Sequence, residues 1–266
     1  MDIWTRHADR TPVLSLRGVT LSYGSRTIQR QLSFDVHRGS IFAIMGASGA
    51  GKSTALRSMI GLLAPQSGTM MVGDQDYWVL SVPERARIGR RFGVLFQSGA
   101  LWSSLTVGEN VALPMRMLTD MDSGTIQRMV ELKLALVGLE EARDLLPGQL
   151  SGGMVKRAGI ARALALDPDV LFLDEPSSGL DPVSARHLDD LILDLRAALH
   201  TTIVIVSHDL ANLFATADDG IFLDERTHTA IARGSPVALR DRSEDPRIQA
   251  FMRRGETAAA PVREVV

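Results

Sequence analysis

The sequence predicts an α/β fold with a parallel-sheet core, an antiparallel β layer ahead of it and a helical segment inserted into it. Three observations carry this. The runs "IFAIM", "FGVLF", "DVLFLDE" and "TIVIV" are apolar, strand-length and separated by helical patterns, as expected of strands covered by helices on both faces. Earlier β-rich runs, "VLSLRGVTLSY" and "LSFDV", are set apart by Gly, Ser and charged turn residues, which suits an antiparallel layer. Between Gln97 and about Leu164 there is no strand pattern, while "TIQRMVELKLALVGL" and the residues after Ser151 read as helices.

Taken in order, the first buried strand runs from Ile41 to Met45 and ends at Gly46. A helix follows from Lys52 to about Leu62, where "APQSG" stops it. The clearest helix spans Ser184 to Leu199. Its Leu188, Leu191, Ile192, Leu195 and Leu199 recur at spacings of three and four and form one apolar face. Near the end, Asp245 suits an N-cap, Pro246 the first helical position and Gly255 the stop, while Ile248, Phe251 and Met252 share a face. A short helix is expected from Pro246 to about Arg254, followed by a mobile "ETAAAPVREVV". No internal repeat is present, so no second copy of any motif is expected.

Composition narrows the function. The chain has 266 residues, 45% of them hydrophobic, enough for a full core. With 29 basic against 31 acidic residues the formal charge is −2, which offers no overall attraction to nucleic acid or anionic lipid. There is no cysteine, so disulfides and thiolate metal sites are excluded and a reducing compartment is expected. The start "MDIWTRHADRTP" lacks the order of a signal peptide, and the apolar runs are far shorter than the ~20 residues of a membrane span. Any membrane role is expected to be peripheral.

The strongest chemical signal is "GASGAGKST", which satisfies G-x-x-x-x-G-K-[ST] between a strand and a helix. In such a loop the backbone N–H groups of Gly46, Ala47, Ser48, Gly49, Ala50 and Gly51 wrap phosphates. Lys52 reaches the terminal phosphates, the Ser53 hydroxyl ligands Mg²⁺, and Thr54 lies close to the α-phosphate. "VLFLDE" then places Asp174 and Glu175 at the carboxyl edge of the sheet. Asp174 suits Mg²⁺, directly or through water, and Glu175 suits orienting and deprotonating an attacking water. Alone, an apolar run ending in two acids reads equally as a solvated strand end. His208 ends a third buried strand on the same edge and Gln97 a fourth, so four strand ends converge where a γ-phosphate would lie.

Tyr23, "GASGAGKST", Gln97, "LSGGM", "VLFLDE", "SGLD" and His208, in that order, resemble the ATP-binding cassette (ABC) ATPases, and the match runs from about Val13 to Gly234. That resemblance implies a P-loop NTPase cassette over 13–240, with a helical subdomain at about 98–164 and a C-terminal tail over 241–266 carrying the helix at about 246–254. It implies that Tyr23 stacks on adenine, that Gln97 touches Mg²⁺ or the attacking water, that Asp181 of "SGLD" crosses between subunits, and that His208 contacts the γ-phosphate. Ser151, Gly152 and Gly153 open a helix and offer a hydroxyl, N–H groups and a positive helix end to an anion. In ABC ATPases that anion is the γ-phosphate held by the other subunit, so one phosphate loop and one signature imply a homodimer with two composite sites.

Met154 stands where many members have Gln. It is followed by "VKRAGIARALALDPDVLFLDEPSSGLDP", and with "GVLFQSGALWSSLTVGENVALPMR" and "EDPRIQAFM" it is similar to the Mla/Mce-type phospholipid transport cassettes. The resemblance implies ATP and Mg²⁺ as ligands, an integral membrane permease and an MCE-type substrate-binding subunit as partners, no nucleic acid, and a peripheral place on the cytoplasmic face of the inner membrane. The competing expectations are the ATPase of another importer or exporter, and a soluble ABC protein acting on ribosomes or DNA. The latter calls for two cassettes, a coiled-coil insertion or a basic stripe, none of which is in the sequence.

Overall fold

The computed structural model describes residues 12–253. β1 (Pro12–Tyr23) and β2 (Arg26–His37) pair antiparallel. β3 (Ile41–Gly46) is buried at every residue and leads through the glycine-rich loop into α1 (Lys52–Met59). β4 (Ser67–Val72) and β5 (Gln75–Asp76) return to the first layer, whose strand order is β2-β1-β4-β5. After α2 (Val82–Gly89) and β6 (Phe92–Leu95), the chain passes through α3 (Val107–Leu118), α4 (Ser123–Leu136) and α5 (Gly152–Ala163) before the next strand. β7 (Val170–Asp174), α6 (Pro182–Leu199), β8 (Thr202–Val206), α7 (Leu210–Thr216), β9 (Asp219–Asp224), β10 (Thr229–Arg233), α8 (Pro236–Arg242) and α9 (Pro246–Met252) follow. The second sheet has the order β10-β9-β3-β8-β7-β6 and is parallel except for β10.

The apolar runs are continuous because both faces of this sheet are covered, and successive side chains enter different cores. Phe42 and Ile44 of β3, Phe172 of β7 and Val204 and Val206 of β8 meet Leu14, Leu16, Phe34 and Val36 of the antiparallel layer and Ala55, Leu56 and Met59 of α1. Leu171, Leu173, Ile203 and Ile205 point the other way, toward Ile160 of α5 and Leu188, Ile192 and Leu195 of α6. Along α6, Leu191 is partly buried and Leu199, at the last turn, is exposed.

α1 ends at Met59, short of the expected Leu62, for a local reason. Gly61 takes φ 81° and its N–H donates to Ser58 O, while Leu62 N–H donates to Arg57 O. That is the paired closing pattern of a glycine-terminated helix, which needs the left-handed residue. α9 starts at Pro246 behind an Asp245 cap whose Oδ1 accepts from Arg247 N at 2.9 Å. The Arg247 side chain and backbone donors hold the Asp245 carboxyl down to a pKa of about 2. Ile248, Phe251 and Met252 pack on their own chain, against Met45, Leu210, Leu213, Phe222 and Leu239. α9 stops at Met252. The expected continuation to about Arg254 and the mobile "ETAAAPVREVV" lie outside the described residues. Among the described residues, no helix is long and apolar enough to cross a membrane.

Candidate active site

Because β3, β8, β7 and β6 are adjacent and parallel, their carboxyl ends share one edge, and the loops leaving them gather there. The first loop is shaped by Gly46 at the end of β3. Its φ is 144°, and a Cβ there would lie 2.4 Å from Leu223 O on the neighbouring strand, so only glycine fits. The loop then delivers Lys52, whose Nζ donates to Gly46 O and Ala47 O, each at 3.0 Å, spanning the turn from beneath. Burial pulls the Lys52 amine below its ordinary pKa, while the charges of Glu175 and Asp174 oppose that shift.

A cleft of about 640 Å³ opens over this edge. Ala47, Ser48, Gly49, Gly51, Lys52, Ser53 and Thr54 line it from the loop side, and Gln97, Glu175 and His208 from the other strand ends. Ala50 turns inward instead, into the core, and its carbonyl accepts from Gln29 Nε2 at 2.6 Å. Glu175 is nearly buried, and its Oε1 lies 2.8 Å from His208 Nδ1, a contact made by two neighbouring strand ends. Its backbone adopts φ 49°, an uncommon conformation for a residue with a Cβ, and its N–H donates to Val206 O at 2.8 Å. Asp174 ends β7 with Oδ1 buried and without a hydrogen-bond partner. Burial, and then the charge of Glu175, raise its carboxyl above the usual range, a cost that a bound cation would relieve.

The remaining sequence-named residues stand elsewhere. Tyr23 is exposed at the end of β1, its hydroxyl accepting from Arg57 Nη1 at 3.1 Å. Ser151 caps α5, its Oγ accepting from Met154 N at 3.3 Å. With Gly153, Ser151 borders a separate recess of about 390 Å³, next to Gly138, Arg157 and Ser184, and Gly152 packs toward Leu180. Asp181 caps α6, its Oδ1 accepting from Val183 N and Ser184 N at 3.0 Å each. Within one chain, then, the phosphate loop, Gln97, Glu175 and His208 come together, while the "LSGG" turn faces a different space. Arg26, Ile28, Leu210 and Phe251 also line the main cleft, and Lys156 lies beneath it. No motif announces these five; only the fold brings them there.

The arrangement fits a nucleoside triphosphate with Mg²⁺. It offers a glycine loop without room for a Cβ at Gly46, a buried ammonium held at the loop, and an unpartnered buried carboxylate oxygen beside a second carboxylate. The ABC transporter family profile matches residues 29–178. The intermembrane phospholipid transport system ATP-binding protein MlaF of Haemophilus influenzae is 39% identical over 251 residues, covering 94% of this chain and 93% of that protein. The probable ribonucleotide transport ATP-binding protein mkl of Mycobacterium leprae is 40% identical over 239 residues, covering 90% and 68%. Among solved structures, cbiO1 of Clostridium perfringens, part of an ABC transporter complex, superimposes with a TM-score of 0.81 at 25% identity, covering 94% of this chain and 96% of that one. A dimeric ATP-binding cassette in a post-hydrolysis state, with ADP and phosphate bound, gives 0.76 at 28% identity, covering 84% and 98%.

Proposed function

The chain belongs to the ABC transporter family, as an ATPase cassette that uses ATP with Mg²⁺, and from that premise we propose that it powers phospholipid transport as a homodimer docked on a membrane permease. The single observation that carries the dimer is the separation inside one chain. The cleft is lined by the phosphate loop and Glu175, whereas Ser151 and Gly153 of the "LSGG" turn border a separate recess. Two copies placed head to tail complete two sites, each taking its loop from one chain and its signature from the other.

Each residue then has a part. The loop N–H groups and Lys52 hold the phosphates. Ser53, Gln97 and Asp174 hold Mg²⁺, which when bound draws charge off the phosphate oxygens. Glu175 takes a proton from the attacking water, and His208, hydrogen-bonded to Glu175, faces the γ-phosphate. Tyr23 supports the adenine, and Asp181 meets the partner near the "LSGG" of Ser151, Gly152 and Gly153. The cassette spans 13–240, with 98–164 as its inserted helical subdomain and 241–266 as its tail.

Phospholipid as cargo rests on the likeness to intermembrane phospholipid transport ATP-binding proteins over nearly the whole of both chains. That reading places the chain on the cytoplasmic face of the inner membrane, with an MCE-type subunit in the same assembly. The test is to purify the chain with its co-eluting membrane protein, reconstitute the complex in vesicles, and follow a labelled phospholipid and a labelled ribonucleotide side by side. ATP-dependent movement of the lipid alone is expected. Movement of the ribonucleotide with no lipid movement overturns the assignment.

A further inference from the structure

One turn into α5, past the "LSGG" turn, Lys156 lies beneath two of the loops that line the active-site cleft of its own chain. It is 5% exposed, and its Nζ donates to Gln97 O at 2.5 Å and to Glu175 O at 3.0 Å. Those carbonyls belong to the loops leaving β6 and β7, and the side chains of the same two residues line the cleft. The grip matters most at Glu175. At φ 49° its backbone is in a region that a residue with a Cβ occupies only when its surroundings hold it there. Here Val206 O holds the N–H, and the Ser178 N–H and Lys156 Nζ together hold the carbonyl.

A lysine is an expensive way to fill such a place. Taking an ammonium out of water is costly, and here bonds to two backbone carbonyls offset that cost. A neutral apolar side chain would fill the volume without that cost, but it would take the side-chain donor from Gln97 O and leave Glu175 O with the Ser178 N–H alone.

We propose that Lys156 is a positioning residue for hydrolysis, fastening the backbones of Glu175 and Gln97 to the helix that carries the signature turn. The surface that meets the partner's nucleotide is thereby tied to the base that serves the chain's own nucleotide. When a second copy engages Ser151, displacement of α5 carries Glu175 and Gln97 with it. This rests on Glu175 being the general base, so the test includes that assumption.

In the full-length homodimer, Lys156→Met keeps the length of the stem and removes both donors. ATP affinity should stay at the wild-type value while kcat falls about 10- to 100-fold, the size of a lost charge-assisted hydrogen bond to a buried carbonyl. Lys156→Arg, which presents several N–H donors, should recover much of kcat, and Lys156→Gln, with a shorter reach, should recover less. Should the Met chain fail to fold, the order Lys, Arg, Gln in kcat at constant ATP affinity carries the same information. Equal kcat across the folded variants overturns the proposal, as does a loss of ATP affinity that parallels the loss of kcat, since that marks a merely structural lysine. Glu175→Gln, measured alongside, separates the two failures. If it turns over ATP, the base assignment has failed; if it is inactive while the Lys156 variants match wild type, only the role of Lys156 has.

Discussion

Replacing Glu175 by Gln removes a base and little else. The residue is nearly buried, its Oε1 lies 2.8 Å from His208 Nδ1, and its backbone is held through N–H and C=O by Val206 and Lys156. An amide has the same size and still pairs with the imidazole in either tautomer, donating or accepting as needed. The fold should therefore survive, and the melting temperature with it. What is lost is proton acceptance from water, worth about 10²- to 10⁴-fold in rate, or roughly 3–5 kcal/mol of barrier. Binding should not weaken. The charge of Glu175 is one of the causes that raise the Asp174 carboxyl, so its removal lets Asp174 ionise more readily beside Mg²⁺–ATP. The assay is phosphate release at saturating Mg²⁺–ATP, with direct binding of a fluorescent ATP analogue and a thermal melt on the same preparation. A kcat within about tenfold of wild type, with binding and melt intact, would refute the assignment of Glu175 as base.

Three further outcomes follow from particular contacts. Phe251→Ala empties the ring that meets Phe222 edge-on at a centroid distance of 5.1 Å. It should cost about 3 kcal/mol and lower the melting temperature by roughly 6–12 °C, and an unchanged melt would mean that α9 does not dock on its own chain in solution. Gly46→Ala drives a Cβ against Leu223 O and should abolish ATP binding in a direct titration, where retained affinity would contradict the tight loop. Asp189 is buried beside Asn212, accepts from its Nδ2, and has its carboxyl raised by burial, while Asn212 Oδ1 has no partner. A raised folded pKa gives stability that is full below the unfolded value and is lost as pH rises through the folded one. Asp189→Asn, neutral throughout and able to donate, should therefore stabilise by about 1 kcal/mol at alkaline pH, with the gain shrinking as pH falls toward 4. Melts across pH that differ by a constant amount would count against it.

What could be read from the sequence was local. The phosphate loop is contiguous with the strand and helix that shape it, so "GASGAGKST" names both its residues and its setting, and an unbroken apolar run such as "TIVIV" reports burial on both faces. β4 escaped notice because half of it is exposed and it lacks a clean alternation, β10 because it is a partly exposed edge strand, and β9 because its three hydrophobic residues lie between aspartates. The pairing of Glu175 with His208 depends on β7 and β8 being neighbours, a fact of topology that no spacing encodes. Lys156 is the clearest case. In "VKRAG" it reads as one more charge on a solvated helix face, and only the packing of α5 under two strand-end loops turns it inward.

The composite site itself is tested most directly by complementation. A Lys52→Ala chain should bind ATP poorly, because the phosphates lose a charge-assisted partner, and a Ser151→Arg chain should place a bulky group where the partner's γ-phosphate belongs. Each homodimer should be inactive. Mixed in one verified heterodimer, the intact phosphate loop of the Ser151→Arg chain faces the intact signature of the Lys52→Ala chain, and the opposite site carries both lesions. The account predicts that this heterodimer regains ATP-dependent closure and phosphate release from its one repaired site. Heterodimers that show neither, while each parent chain folds and pairs, would contradict a site shared between two chains.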